Sequence, residues 1–403
     1  MGWAKRHMEE VEAQGFDCSV DKYVCKECIG NYVIKDYIGE NADEFHCDYC
    51  GKESEDEALS VHLEGVLRII LNGIRTEWED PNNCVGWNSR EGGWLGVTVY
   101  DKREVIEEYW DDLDIENEDL IEDIIDSMNE QEWCERDPYG LRPYEYDFYT
   151  WELFCKQIKH ETRYVFFKAN KDYRDSDSYY KQPFEILETI GRFINELGLI
   201  KSDDLKYQFY RGRTHEKPEG YFNVKDLAAP PVEYAKYPNR MSPAGIPMFY
   251  GALDKKTAIE EIRDERKYIS VGIFENASKL NLIDLCSLPS VPSVFDEENR
   301  YLRNIIFFLR SFIEDLSKPI EKDGREHIEY VPTQVVTEYF RHVFCSEEGN
   351  KIDGILYPSS KVKGGVCCVL FFGNDDSTQD MSESDKALSL NTKSIEMINL
   401  LAG

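Results

Sequence analysis

The sequence is poor in basic residues relative to acidic ones and has no long apolar run. Lys and Arg total 47 against 79 Asp and Glu, which leaves a formal net charge of −32. Most of such a surface repels phosphate, so the composition disfavours both a nucleic-acid partner and docking on an anionic membrane. The apolar runs at 305–309 and 366–372 are too short to span a bilayer.

The N-terminus is rich in charge and lacks the apolar core of a signal peptide. The 12 cysteines therefore indicate reduced thiols and metal ligands rather than a disulfide framework. We expect the protein to be cytoplasmic. Its 403 residues, 41% hydrophobic and 13% aromatic, exclude a disordered chain and predict two or three domains.

Two CxxC pairs stand near the N-terminus, separated by 18 residues: Cys25 with Cys28, and Cys47 with Cys50. Each pair places two sulfurs on one tight turn, and two such turns complete a tetrahedral thiolate site for Zn²⁺. Four thiolates close the coordination shell, so we expect a structural ion rather than a catalytic one. Cys18 and His46 are close enough in the sequence to replace one of the four.

The region after the cysteines is acidic and shows helical periodicity. Residues 101–130 hold fourteen Asp or Glu against Lys102 and Arg103. Apolar residues recur there at helical spacing, which predicts one or two helices with a solvated acidic face. Similar spacing predicts helices over 55–78, 144–160 and 184–197, the last closed by Gly198. A strand is expected around 94–100.

The pattern changes near residue 205, where strand-like and helix-like segments begin to alternate. Strands are predicted over 207–210, 247–252, 269–274, 280–285, 352–357 and 366–372. Helices are predicted over 255–266, 300–316 and 333–344. The fold class is therefore α+β, with a zinc module over 1–54, a mostly helical domain over 55–204 and a mixed domain over 205–403.

Four short stretches of this half carry groups suited to chemistry: YRGR at 210–213, NRMSPAGIPMFY at 239–250, TAIEEI at 257–262 and DGILYPSS at 353–360. The first two supply Arg, whose planar donor fork suits phosphate or carboxylate. The third places Glu on a short helix, and the fourth places Ser in a loop after a strand. Each stretch alone is typical of an ordinary surface, so their combination and order carry the signal.

In this order the four stretches resemble the RES domain, a family named for its Arg, Glu and Ser. The resemblance covers about residues 205–400. Asn239, Met241 and Ser242 stand where the family has Gly, Trp and Asn, and none of these departures removes a charged group. The zinc module and helices ahead of the domain resemble the HEPN-like N-terminal region of longer RES proteins.

The resemblance implies a fold similar to ADP-ribosyltransferases and an NAD⁺-consuming toxin or defence effector. Carried over residue by residue, it implies these catalytic residues: Arg211, Arg240, Tyr250, Glu261 and Ser359. Arg213 is an alternative to Arg211, and both arginines are expected to contact NAD⁺ together with Arg240, Tyr250 and Ser359. Glu261, the fifth residue of TAIEE, is preferred over Glu260.

These residue types suit the cleavage of the nicotinamide–ribose bond. Positive charge grows on the ribose in the transition state, and a fixed carboxylate stabilises it, as in glycoside hydrolysis. Arginines neutralise the pyrophosphate, a Tyr ring stacks on nicotinamide, and Ser donates to an oxygen of the substrate. The chain lacks a GxGxxG motif after a strand, so NAD⁺ is expected as a consumed substrate rather than a hydride carrier.

Two other functions remain open at this stage. An ADP-ribosyltransferase would use the same pocket to modify a protein or nucleotide. A non-enzymatic zinc-dependent adaptor would have no catalytic role for these arginines and glutamates. An RNase of the HEPN type needs an Arg and a His separated by four to six intervening residues on one helix. We find no such pair: Arg211 and His215 have only three residues between them and lie in the other domain. The resemblance also implies an inhibitory partner, an Xre-like antitoxin or an immunity protein, and a homo-oligomer stays open.

Overall fold

The structure, a computed structural model, describes residues 14–17, 20–90, 92–169, 182–203, 205–320, 323–379 and 386–400. The chain divides into two compact units, Met1–Arg142 with Val291–Asn304, and Pro143–Ser290 with Ile305–Gly403. The described residues of 143–203, which the sequence pattern groups with the helical region, thus pack in the second unit. None of the helices in the described ranges has the length and apolar content needed to cross a membrane.

The first unit consists of short helices and three small antiparallel strand pairs. Its helices are α1 (Tyr32–Asn41), α2 (Leu63–Ile74), α3 (Pro81–Cys84), α4 (Lys102–Glu107), α5 (Trp110–Leu113) and α6 (Glu118–Ser127). Its strands are β1 (Tyr23–Cys25) with β2 (Ser60–His62), β3 (Trp78–Glu79) with β6 (Cys134–Glu135), and β4 (Trp87–Asn88) with β5 (Gly93–Trp94).

The core of the first unit is formed by amphipathic helices. Helix α2 and helix α6 bury apolar residues at helical spacing: Val66, Leu67, Ile70, Leu71, Leu120, Ile121, Ile124 and Ile125. The segment that returns to this unit adds Phe295, which packs beside Gly73, where a Cβ atom would lie 2.4 Å from the ring. The acidic side chains of α6 stay outside this core, so the predicted helices with a solvated acidic face are confirmed.

The second unit surrounds a large sheet with helices. Its helices are α7 (Pro143–His160), α8 (Phe166–Ala169), α9 (Ile186–Glu196), α10 (Val224–Leu227), α11 (Lys255–Ile262), α12 (Leu302–Ser317), α13 (Glu326–Glu329) and α14 (Val331–His342). Its strands are β7 (Ile200–Asp203), β8 (Gln208–His215), β9 (Phe249–Ala252), β10 (Tyr268–Asn276), β11 (Leu280–Asp284), β12 (Gly354–Pro358), β13 (Val366–Leu370), β14 (Ser377–Thr378) and β15 (Leu388–Asn399). Residues of α12 from Ile305 onward belong to this unit.

Within the described ranges these strands form one nine-stranded mixed sheet, in the order β14-β15-β10-β8-β9-β13-β12-β11-β7. The β11–β12 and β14–β15 pairs are parallel, and the other neighbours are antiparallel. One face carries a core of Phe209, Phe249, Phe274, Leu370 and Leu390. A mixed sheet with helices in separate segments is the α+β class that the sequence predicted.

Two local predictions are wrong. The helix expected over 55–78 begins only at Leu63, because residues 60–62 pair with β1 and His62 caps the helix by accepting from the Glu64 N–H. The strand expected over 94–100 is limited to Gly93–Trp94, which forms a tight hairpin with Trp87–Asn88. Both regions fold through pairings that their own periodicity does not reveal.

Candidate functional site

A cavity of about 440 Å³ opens in the second unit where strands β8 and β9 separate. Strand β8 pairs with β9 only at Tyr210 and Ala252, whereas it pairs with β10 along its whole length. Residues from β8, β9, α11, β12 and β13 contribute to the walls. The charged residues that line the cavity are Arg211, Arg213, Lys236 and Glu261.

Arg211 is fixed in the cavity wall by the backbone of neighbouring elements. Its Nε donates to the Leu227 carbonyl at 2.6 Å, and its Nη1 donates to the Tyr250 carbonyl. The guanidinium also lies over the Phe249 ring, 4.9 Å from the ring centre. Burial, and then the charge of Arg213, lower the pKa of Arg211 to about 9. The group therefore remains charged at neutral pH although its position is costly for a cation.

Arg213 has more free donor capacity than Arg211. Its Nη2 donates to the Ala228 carbonyl at 2.9 Å, but its buried Nε has no partner in the part of the chain that the structure describes. Burial lowers the pKa of Arg213 as well. Among the described residues neither arginine forms an ion pair with a carboxylate. Two neighbouring half-buried cations that form no ion pair make this wall favourable for an anionic ligand.

Glu261 reaches the cavity from the last turn of α11. Asp254 starts this helix by accepting from the Thr257 N–H at 2.9 Å. The helix lies close to β8 because Gly212 has no side chain; a Cβ atom there would lie 2.7 Å from Ile262 Cδ1. The small residue between the two arginines thus allows the carboxylate to approach the same cavity.

The carboxylate of Glu261 is held by the loop after β12. Ser359 Oγ donates to Glu261 Oε1 at 2.5 Å, and it accepts from the N–H groups of Lys361 at 3.1 Å and Val362 at 3.0 Å. Lys361 Nζ donates to the carbonyls of Glu260 and Glu261, both at 2.9 Å, at the C-terminal end of α11. Ser359 therefore donates its hydroxyl hydrogen to Glu261, and the two N–H groups that it accepts from fix the position of this hydroxyl.

The structure distinguishes the two glutamates of TAIEE. Glu260 Oε1 lies 3.3 Å from the guanidinium of Arg263 and its residue does not line the cavity. Glu261 lines the cavity and carries the Ser359 bond.

Tyr250 lines the cavity from β9 and is anchored by the loop before it. Its hydroxyl donates to Ser242 Oγ at 3.0 Å and accepts from the Met241 N–H at 3.2 Å. Met241 and Ser242, two of the departures from the family pattern, are 0% and 1% exposed. Burial raises the pKa of Tyr250 well above its usual value, so the phenol stays neutral. The loop is thus packed although its residues differ from the family's.

Arg240 is not brought into the cavity lining. Its Nη1 donates to the Leu316 carbonyl at 2.6 Å, near the C-terminal end of α12, and its own carbonyl accepts from Thr333 Oγ1. A guanidinium at a helix C-terminus is favourable because the terminal carbonyls carry partial negative charge. Of the residues expected at the site, the structure brings together Arg211, Arg213, Tyr250, Glu261 and Ser359.

Further lining residues were not singled out from the sequence. Tyr357 on β12 lies directly opposite Cys367 on β13, and both line the cavity. Burial raises the pKa of Tyr357 far above its usual value. Tyr357 could have been found because it precedes Ser359 by two residues in the stretch DGILYPSS. Lys236 lies in the loop between the arginines and β9, where no sequence pattern marks it.

The cysteine pairs meet in the first unit. Cys25 Sγ lies 3.8 Å from Cys28 Sγ and 3.6 Å from Cys50 Sγ, and Cys28 Sγ lies 3.6 Å from Cys47 Sγ. All four sulfurs lie within 4.8 Å of one another. Tetrahedral Zn²⁺ with bonds of about 2.3 Å requires sulfurs about 3.8 Å apart, so these thiols fit a metal ion of that kind.

The two alternative ligands have different outcomes. His46 faces carboxylates instead of the sulfurs: its Nδ1 lies 3.6 Å from Glu44 and its Nε2 lies 3.4 Å from Asp48. Cys18 lies outside the described residues.

Two family models match the chain. Residues 40–172 match HEPN/RES N-terminal domain 1, and residues 219–392 match the RES domain. The RES match includes Arg240, Tyr250, Glu261 and Ser359 and begins after Arg211 and Arg213. Together the two matched ranges span more than half of the chain. No curated protein and no solved structure matches it.

Proposed function

Because the chain belongs to the RES-domain family and carries a HEPN/RES N-terminal domain 1, we propose that it consumes NAD⁺ by cleaving the nicotinamide–ribose bond. The observation that supports this most directly is the charge arrangement of the cavity. One carboxylate, Glu261, is fixed by Ser359, and the two arginines of β8 that line the same cavity form no ion pair with a carboxylate among the described residues. Such a site offers a fixed anion to a developing cation and fixed cations to a pyrophosphate.

The proposed reaction begins with the loss of nicotinamide. The bond between the ribose C1 and the pyridine nitrogen breaks, and its electron pair neutralises the positive ring. Positive charge then develops on the ribose, and Glu261 stabilises it at short range in a site partly closed to water. Water or phosphate adds to the C1 atom and releases a proton. The product is ADP-ribose or its 1-phosphate.

The other residues bind and orient the dinucleotide. Arg211 and Arg213 neutralise the two charges of the pyrophosphate, and the unpartnered Nε of Arg213 supplies a donor. The ring of Tyr250 stacks on nicotinamide. Ser359 acts through Glu261 by holding the carboxylate. A contact between Arg240 and the substrate stays a prediction, since its guanidinium is bound to Leu316 in the free protein.

Zn²⁺ is proposed to have a structural role. Cys25, Cys28, Cys47 and Cys50 would hold it, and four thiolates leave no position for a substrate. The ion would fold the zinc module proposed over 1–54. The proposed division by family resemblance is completed by a helical domain over 55–204 and a catalytic domain over 205–403, with the described residues of 143–203 packing in the same unit as the catalytic domain.

The proposed biological role is that of a toxin or defence effector that depletes NAD⁺ in the cytoplasm. An activity of this kind requires restraint, and we propose an inhibitory partner, an Xre-like antitoxin or an immunity protein.

The experiment is to incubate the purified full chain with NAD⁺, with and without phosphate, and to separate the products by chromatography. Free nicotinamide with ADP-ribose supports hydrolysis, and ADP-ribose 1-phosphate in the phosphate sample supports phosphorolysis. Label transferred from NAD⁺ to a macromolecule would instead indicate an ADP-ribosyltransferase. Intact NAD⁺ in every sample, from protein shown to be folded, would contradict the proposal.

A further inference from the structure

The cavity lining has one more cation than the pyrophosphate of NAD⁺ has negative charges. Its lining contains three cations, Arg211, Arg213 and Lys236, and one carboxylate, Glu261. A pyrophosphate diester carries two negative charges, which the two arginines match. Lys236 is therefore an additional cation, and NAD⁺ has no third phosphate that could pair with it.

Lys236 continues the wall that the arginines begin. Arg211 and Arg213 donate to the carbonyls of Leu227 and Ala228, and the chain runs from there through Pro230 to Lys236. Lys236 is exposed, and in the described ranges it forms no ion pair. Its ammonium group is thus free to bind an anion at the mouth of the cavity.

Two tyrosines flank this lysine. Tyr234 and Tyr237 line the same cavity and are 68% and 82% exposed. Exposed aromatic rings beside a binding cavity are suited to stacking on a base, and every purine has a flat face for this contact. Residues 234–237, which we call the mouth segment, therefore combine stacking surfaces with a cation, which suits the adenosine end of a dinucleotide.

The mouth segment also lacks the usual device that rejects a 2′-phosphate. In Rossmann-fold sites that select NAD⁺, for comparison, a carboxylate accepts from the 2′-hydroxyl of the adenosine ribose and repels a phosphate at that position. Glu261, the one carboxylate in the described lining, is bound by Ser359 in the loop after β12 and does not belong to the mouth segment. Glu233 lies on the turn before Lys236 but is exposed and does not line the cavity. Among the described residues no other carboxylate lines it.

We propose that this cavity also takes NADP⁺, the dinucleotide with a 2′-phosphate, and that Lys236 binds this phosphate. The proposal rests on the proposed function, because it assigns a second substrate to the same site. The bond that breaks is the same nicotinamide–ribose bond. The extra phosphate takes no part in the chemistry, and its contact with Lys236 acts on binding.

The experiment measures kcat/KM for NAD⁺ and NADP⁺ with the purified full chain, its Lys236→Ala and Lys236→Glu variants, and Lys225→Ala. Lys225 is a matched control, since it is an exposed lysine eleven residues earlier that does not line the cavity. We expect the wild-type protein to consume both nucleotides. Lys236→Ala should lower kcat/KM for NADP⁺ about fivefold more than for NAD⁺, through KM, as for an exposed charge pair with phosphate.

Lys236→Glu should enlarge that difference, and Lys225→Ala should leave the ratio of the two substrates as in the wild type. Consumption of NAD⁺ without consumption of NADP⁺ would overturn this inference and leave the proposed function intact. Equal losses for both nucleotides in Lys236→Ala would overturn the assignment of the phosphate to Lys236. If neither nucleotide is consumed, the proposed function fails and this inference fails with it.

Discussion

The hydroxyl of Ser359 is predicted to control the rate through the position of Glu261. In Ser359→Ala, Glu261 Oε1 loses the donor that lies 2.5 Å away, and the N–H groups of Lys361 and Val362 lose their acceptor. Lys361 is exposed, so water can replace part of what is lost there. The main effect should therefore be on the carboxylate rather than on folding.

The size of the effect follows from the kind of hydrogen bond. A bond to a charged group contributes about 1.5–3 kcal/mol. If Glu261 needs that bond to face the developing ribose cation, each 1.36 kcal/mol costs a factor of ten, and kcat should fall by about 10- to 150-fold. KM for NAD⁺ should change less, because the arginines that we propose to bind the pyrophosphate are untouched. Initial rates of NAD⁺ loss over a range of concentrations measure both constants.

Two further variants make the test specific. Ser359→Thr keeps a hydroxyl at the same position and should recover much of kcat. Ser360→Ala removes an exposed hydroxyl next in the chain and should behave as the wild type. A Ser359→Ala protein with kcat within twofold of the wild type would refute the reasoning. The same is true if Ser359→Thr is as slow as Ser359→Ala, since the loss would then come from shape.

Three other predictions concern the two units separately. Purified protein should contain one zinc per chain by elemental analysis, and Cys47→Ser should lose the metal and lower the melting temperature; full metal retention would contradict the four-thiolate site. Gly354→Ala should reduce the free energy of unfolding by about 2 kcal/mol, because the added Cβ atom would lie 2.6 Å from the Val369 carbonyl oxygen. Denaturant unfolding curves measure this change, and an unchanged free energy of unfolding would contradict the prediction. Burial alone would raise the pKa of Asp284, but the bond from Lys201 at 2.6 Å and other donors outweigh burial and hold this pKa below its usual value. The stabilisation is therefore present at neutral pH and is lost as the pH falls below about 4. Asp284→Asn should be less stable than the wild type at pH 7 and should lose less stability in acid; a mutant with the wild-type pH profile of stability would disprove the coupling.

The sequence predicted most of the central strands of the sheet, because they are buried on both sides and therefore apolar. Segments such as Leu280–Asp284 and Val366–Leu370 are recognisable from composition alone. Strand β15, Leu388–Asn399, was not predicted. Much of it is exposed and polar, and it is stabilised by pairing with β10, more than one hundred residues earlier in the chain. Pairing at that distance leaves no local pattern.

The candidate site shows the same limit. Motif order was sufficient to single out Glu261 and Ser359, and the structure places them in direct contact. Arg240 carries the same motif signal as Arg211, yet only tertiary structure shows that it binds the Leu316 carbonyl while Arg211 lines the cavity. Lys236 sits in a loop with no periodicity, so only the shape of the cavity reveals it.

The central claim is that Glu261 stabilises the ribose cation during loss of nicotinamide. The most direct measurement compares the initial rate of nicotinamide release from NAD⁺ for the wild type, Glu261→Gln and Glu260→Gln. The control is matched because Glu260 is adjacent on the same helix but pairs with Arg263. We predict that Glu261→Gln reduces the rate by at least about a hundredfold and that Glu260→Gln retains it. A Glu261→Gln protein that releases nicotinamide at the wild-type rate, or a Glu260→Gln protein that alone loses the activity, would contradict the account.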